Sequence, residues 1–355
     1  MNEIESDVAR SAVRLTTFSH GGGCGCKMAP GVLAEILAST PLRNLSPDLL
    51  VGIETSDDAA VYRLNDGQAI VATTDFFTPI VDDPMDFGRI AATNAISDVY
   101  AMGAQPIFAL AIVGMPLDKL PVEAIRGILA GGESVCAAAG IPIAGGHSID
   151  TLEPIYGLVV LGLVDPGKVK RNSEAKAGDV LILGKPLGVG ILSAALKQAK
   201  LSAAGYRQML ETATRLNTPG RRLADIPGVH AMTDVTGFGL GGHLLEICRG
   251  SGLGASVRFD SLPVLPEALD WARQGTATGA SGRNWSGYGG EVRLPADFPV
   301  WKRNLLTDPQ TSGGLLVACD PDAADAVLRI FHEEGFAQAS RIGAMQAGER
   351  LLSIA

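Results

Sequence analysis

Three observations predict an α/β (α+β) fold for this chain. Short apolar runs of strand length alternate with helical stretches through both halves of the sequence. Glycine is abundant, at 44 residues, while aromatics make up only 5%, which suits tight backbone turns better than an aromatic-rich β-sandwich. The hydrophobic fraction of 46% over 355 residues is enough for about two cores that need no disulfide or structural metal.

The elements follow in chain order. Up to residue 46 the periodicity is weak; residues 21–27 form a glycine-rich run expected to be a mobile loop. A short helical pattern follows through Val32, Leu33, Ile36 and Leu37. Residues 69–72 read as a buried strand ending at Thr73-Thr74-Asp75. Residues 86–102 read as a helix, with Gly103 just beyond its end. A strand at 107–113, a helix at 121–139 stopped by Gly140, and an apolar strand at 155–164 come next. Asp165-Pro166-Gly167 and the charged residues after it mark a boundary between 49–165 and 166–355, and residues 1–48, with their mobile glycine-rich run, are expected to form a third part. In the last part, strands are expected at 180–183 and 229–232 and helices at 191–198 and 206–216. Residues 275–290, polar and glycine-rich, read as an irregular surface loop.

Composition excludes several classes. The formal charge of −9 and the lack of a Lys/Arg stripe argue against nucleic-acid binding. The most apolar stretch, residues 106–117, is broken by Gly114 and is too short for a membrane span of about 20 residues. Residues 1–10 are polar and acidic, unlike a secretory signal, and five cysteines without regular spacing fit a reducing compartment. A soluble, cytoplasmic protein is therefore expected. Cys136, Cys248 and Cys319 sit in apolar surroundings as core residues.

Candidate chemistry begins with aspartates in similar settings: Asp57-Asp58 before an apolar run, Asp75 and Asp234 at strand ends, and Asp98 after Asn94-Ala95-Ile96-Ser97. A lone buried carboxylate is costly, and a gathered set relieves that cost by sharing a hard cation such as Mg²⁺. Helix caps and turns explain the same residues one at a time. Neither a Walker loop nor the protein-kinase motifs are present. Gly237-Phe-Gly-Leu-Gly-Gly242 matches a dinucleotide fingerprint, but Asp234 and Thr236 crowd the turn that would receive pyrophosphate.

Cys24-Gly25-Cys26-Lys27 is the sharpest local signal. Its flanking glycines are expected to leave the sulfur open, with Lys27 lowering the thiol pKa for nucleophilic or soft-ligand chemistry. A soft-metal clamp from Cys24, Cys26 and His20, and a plain loop, stand beside that reading. Ala144-Gly145-Gly146-His147-Ser148-Ile149-Asp150 follows an apolar segment, and its glycines allow a ligand close to the backbone, although His147 alone reads as a structural histidine. Asp308-Pro309-Gln310-Thr311-Ser312-Gly313-Gly314 is a similar turn whose polar atoms either serve a site or satisfy a loop.

Together, residues 20–27, 57–61, 73–77, 89–98, 144–150, 232–239 and 308–314 resemble the selenophosphate synthetase (selenide, water dikinase) family. The aspartate motifs are shared with aminoimidazole ribonucleotide synthetase, thiamine-monophosphate kinase and a hydrogenase maturation protein; the Cys-Gly-Cys-Lys run singles out the selenium enzymes. The resemblance implies that ATP, selenide and water give selenophosphate, AMP and phosphate. By match, Cys24 takes the catalytic position without need of selenocysteine, and Lys27 that of the lysine near the ATP phosphates. Asp58, Asp98 and Asp234 fall on magnesium positions. Thr55, Ser56, Asp57, Asp75 and Asp98 fall on nucleotide contacts, Ser56 departing from members with a basic residue there. Gly146, His147 and Ser148 fall on a segment that completes the other subunit's ATP site in a homodimer. The implied fold is the two-domain aminoimidazole ribonucleotide synthetase-like one: an N-terminal sheet pairing across the dimer and a C-terminal mixed α/β domain. A selenium-delivery protein stands as a further implied partner, and membrane and nucleic acid do not.

Overall fold

The computed structural model describes residues 14–19, 21–27, 36, 46–52 and 57–355. His20, Thr55, Ser56 and most of the helical pattern through Val32, Leu33 and Leu37 lie outside the described residues.

The first half builds a six-stranded sheet from β1 (Leu49–Val51), β2 (Ala60–Asn65), β3 (Gln68–Phe77), β4 (Gln105–Met115), β5 (Ile143–Asp150) and β6 (Ile155–Val164). Their spatial order is β1-β2-β3-β6-β4-β5, antiparallel throughout except for the β4–β5 pair. β3 outruns its sequence reading. Instead of stopping at Asp75 it pairs with β6 as far as Phe77, so Asp75 sits within a strand.

Helices Pro84–Ala101 and Val122–Ala138 cover this sheet. The first starts where Asp83 accepts the Asp86 amide at 2.9 Å, with Pro84 at a position that needs no amide donor. Glycines let the two helices touch: a Cβ on Gly88 would lie 1.9 Å from the Ile128 carbonyl oxygen, and one on Gly131 would lie 2.1 Å from that of Met85. Both helices end at left-handed glycines, Gly103 (φ 77°) and Gly140 (φ 74°), a conformation that costs L-residues with a Cβ.

The second half forms a seven-stranded sheet from β7 (Val180–Leu183), β8 (Val229–Asp234), β9 (Gly254–Val257), β10 (Val292–Arg293), β11 (Leu315–Cys319), β12 (Ser340–Gln346) and β13 (Leu352–Ile354). The order is β10-β13-β9-β12-β7-β11-β8. β7, β8 and β11 are almost wholly buried, since helices cover them and one apolar cluster gathers on Phe331 and Phe336.

Residues 275–290 are not an irregular loop. A helix, Gly279–Tyr288, forms there, with Thr278 accepting the Ser281 amide at 3.1 Å. Ala280, Ser281, Asn284 and Tyr288 form its buried face. Asn284 satisfies the Gly237 and Thr307 carbonyls at 2.9 and 3.0 Å, replacing an apolar stripe with polar anchoring that periodicity cannot detect.

Helix Pro84–Ala101 links the halves. From Phe87 onward all but one of its residues are buried, the pattern of a helix packed on every side. It packs against β3 and β6, and its far end reaches the second half, where Gly220 allows close approach to the Tyr100 carbonyl.

Candidate active site

Asn94, Ser97 and Asp98 occupy helix positions i, i+3 and i+4 and therefore share one face. Thr73 and Asp75 alternate along β3, so they share one strand face. Thr73 donates to Asp98, and Asn94 Nδ2 donates to Asp75 Oδ2 at 2.7 Å. Across the domain junction Ser97 donates to Asp234 at the end of β8 and itself receives Asn217 Nδ2 at 2.7 Å. Thr233 donates to Asp58 at 2.8 Å.

This arrangement concentrates negative charge. The carboxyls of Asp58 and Asp98 lie above the usual carboxylate range because of burial and then the facing carboxylate of Asp234. Asp234 is raised by burial, against the Ser97 hydrogen bond. Asp58 Oδ2 is a buried acceptor with no partner among the described residues. The three carboxylates do not close into a tight cage: among the described residues, the trio with ligand atoms within 4.8 Å of one another is Asp179, His230 and Asp320. That trio lies at the other end of β8, where His230 already meets Asp179 at 2.9 Å and Lys176 at 2.9 Å. An open carboxylate set with an orphaned oxygen fits Mg²⁺, which takes oxygen ligands and completes its shell with water and phosphate oxygens.

The Gly21–Lys27 run is docked against this group, contrary to a mobile loop with an open sulfur. Residues 23–26 form a 3₁₀ turn, the Gly23 amide bonds the Thr78 carbonyl at 2.9 Å, and Cys24 is 1% exposed. Gly23 adopts φ 54°, and a Cβ there would strike Thr311. The Cys24 amide donates to Thr311 Oγ1 at 3.1 Å, and its thiol donates to Asn94 Oδ1 at 3.2 Å. Burial and then Asp75 push the Cys24 thiol up, and Lys27 opposes them without prevailing. The expectation of a lowered thiol pKa is thus corrected: desolvation outweighs one ammonium already engaged elsewhere. Lys27 Nζ stands 3.5 Å from Asp75 Oδ2, and that carboxylate holds it charged.

Asp57 turns to the Asn172 amide at 2.7 Å. Gly146, His147 and Ser148 lie on β5, the exposed outer edge of the first sheet, away from the aspartate group of the same chain. The Gly237–Gly242 run is a packing device. Gly241 and Gly242 admit the Tyr288 ring, and Gly237 faces the Cys24 carbonyl and Lys27.

Residue-by-residue reading missed Asn94, Ser97, Thr73, Asn217 and Lys185, while Ser312 lay in the 308–314 run it had singled out. Asn94 and Ser97 were detectable from their spacing to Asp98. Ser312, at φ 55°, donates its amide to Asn94 Oδ1 at 2.7 Å. Lys185 donates to the carbonyls of Ser312 and Arg215 at 2.8 and 2.7 Å, and burial lowers its pKa to about 7.

Two sheets joined by a buried helix, with carboxylates at the junction, define the class. The chain matches the AIR synthase related protein family, its N-terminal domain over residues 56–164 and its C-terminal domain over 176–353. Thiamine-monophosphate kinase from Stenotrophomonas maltophilia shares the fold at a TM-score of 0.64 and 23% identity, covering 93% of this chain and 96% of its own. HypE in the HypE–HypF complex does so at 0.66 and 18%, covering 91% and 95%. Selenide, water dikinase of Burkholderia pseudomallei is 66% identical over 95% of this chain and 96% of its own, and that of Paraburkholderia xenovorans is 65% identical over 95% of each. The Rhizobium meliloti enzyme is 56% identical over 97% and 98%. The chain belongs to the selenide, water dikinase family.

Proposed function

We propose that the chain is an ATP-dependent selenide, water dikinase, converting ATP, selenide and water into selenophosphate, AMP and phosphate. The observation that carries this reading is the placement of Cys24 and Lys27 against Asn94 and Asp75, beside Asp58, Asp98 and Asp234. A thiol and an ammonium seated on a carboxylate group suit phosphoryl transfer to a soft nucleophile.

Asp58, Asp98 and Asp234 would hold Mg²⁺, which neutralises phosphate charge when bound. Lys27, kept charged by Asp75, supplies a further positive charge for the phosphates. Cys24 enters as a protonated thiol oriented by Asn94, and the docked turn keeps water from its sulfur. Thr55, Ser56 and Asp57 belong to the nucleotide contacts in this reading, with residues 49–165 as the nucleotide domain.

The reading includes a homodimer. β5 presents a strand edge that includes the exposed Ile149, and a cavity of about 620 Å³ lies beside Gly146, His147 and Ser148. Ile149→Lys should shift the sedimenting species to monomer; an unchanged dimer would remove this edge from the interface. No helix among the described residues is long and apolar enough to cross a membrane. Five free cysteines support a cytoplasmic setting, checked by titrating five thiols in denatured, unreduced protein. Free selenide is the substrate in this reading, with a selenium-delivery protein as a second source.

The decisive assay is anaerobic: protein with Mg·ATP, with and without selenide, following AMP, ADP and the selenium–phosphorus product. Selenide-dependent AMP is expected. ADP alone, indifferent to selenide, would indicate a sibling kinase, and no turnover a selenium or soft-metal carrier.

A further inference from the structure

A second cavity, of about 300 Å³, opens beside the thiol-bearing turn. Cys24 Sγ meets Asn94, whereas Gly22 and Gly25 and the hydroxyl-bearing Thr311 line this cavity. Its volume is at the bottom of the range for small-molecule sites.

Its charge is unlike the rest of the molecule. The chain carries a formal −9, yet the charged residues lining this cavity are Lys197 and Arg283, and no carboxylate among the described residues lines it. Neither cation is matched by a carboxylate among the described residues. Lys197 Nζ reaches the Ser19 carbonyl at 3.4 Å, and Arg283 Nη2 the Gly25 carbonyl at 2.9 Å. Both therefore reach from the second half onto the segment that carries Cys24, with charge left for an anion.

Pro79 and Ile80 supply an apolar wall, which suits a large, weakly hydrated anion better than a compact one. The group on the Asn94 side carries Asp58, Asp75, Asp98 and Asp234 and would repel an anion arriving without metal.

We infer that this cavity is the receiving site for the selenium substrate as a small monoanion, hydroselenide, held by Lys197 and Arg283 behind the Cys24 turn. The inference rests on the selenide-dikinase reading and separates the two substrates in space: phosphates at the carboxylates, selenium anion at the cationic cavity. Nothing covalent is required for binding; hydroselenide is the ionised form at neutral pH, and the paired cations select its charge.

The test uses the full chain with Lys197→Gln/Arg283→Gln, the conservative pair Lys197→Arg/Arg283→Lys, and Arg341→Gln as a remote control whose native partner is Asp325. The neutral pair should raise the KM for selenide about ten-fold while the KM for ATP moves less than two-fold. The charge-conserving pair should restore it, and the control should leave both constants unmoved. Anaerobic calorimetry with hydrosulfide, without ATP, supplies a readout independent of turnover; its binding should weaken in the neutral pair alone. Selenide-dependent AMP with an unchanged selenide KM in the neutral pair would overturn the cavity and leave the reaction standing. Charge-dependent hydrosulfide binding without AMP formation would keep the anion site and sink the reaction. Hydrosulfide binding equally well to the neutral pair would overturn the site.

Discussion

The Asn94 carboxamide oxygen receives the Cys24 thiol at 3.2 Å, joining a glycine-rich turn to a helix 70 residues further along the chain. The same oxygen takes the Ser312 amide, and the Asn94 amino group holds Asp75. One side chain thus sets the thiol, a strand carboxylate and a second-domain loop in register. Asn94→Ala leaves several buried groups unpaired, each worth about 1–3 kcal/mol. Its kcat should fall about ten- to a hundred-fold with the far-UV spectrum unchanged; wild-type kcat would deny Asn94 a positioning role.

Cys24→Ser should abolish selenide-dependent turnover, and Cys26→Ser should be milder. Because burial and Asp75 raise the Cys24 thiol, its alkylation at neutral pH should be slower than that of a free thiol and should accelerate as pH rises. Equal, small losses from both serines would remove Cys24 from the mechanism.

Asp58 Oδ2 is buried and unpartnered among the described residues, so Asp58→Asn should raise the magnesium concentration for half-maximal ATP use by about ten-fold. A superimposable titration would count against a metal role for this carboxylate.

Asp308 offers a test of stability against pH. Burial lifts its carboxyl to about 7, although Gln310 and the Ile191 amide bond it. The folded state therefore holds a proton that the unfolded chain releases near the ordinary carboxylate pKa. Its stabilising contribution is complete below that value and is lost as pH rises towards about 7. The slope is up to about 1.4 kcal/mol per pH unit. Denaturant unfolding between these limits should show a slope in the wild type that Asp308→Asn reduces; parallel curves would rule it out.

Gly88→Ala places a methyl 1.9 Å from the Ile128 carbonyl oxygen, and backbone cannot swing aside as a side chain can. Overpacking of this kind costs about 1–3 kcal/mol. A denaturation midpoint equal to wild type would show that the helices separate freely.

Much of the fold was legible in the sequence because its signals are local. The strand at 155–164 and that at 180–183 have the ends their apolar runs indicated, and Gly103 and Gly140 stop helices as glycines do. Helix Gly279–Tyr288 was not legible. Its buried face is held by Asn284 and Ser281, whose value depends on carbonyls brought to them from residues 237, 304 and 307.

The sequence by itself determined the alternation of strands and helices and the aspartate and Cys-Gly-Cys-Lys motifs, because those depend on residue type and spacing. Only the tertiary structure decided the state of the thiol. Lys27 beside Cys24 in the chain suggested a lowered pKa, but folding brings Asp75 close and removes the sulfur from water, and desolvation prevails over one neighbouring charge. It also decided that Lys197 and Arg283, 86 positions apart, face one cavity behind that thiol, a juxtaposition set by how two helices pack on a turn.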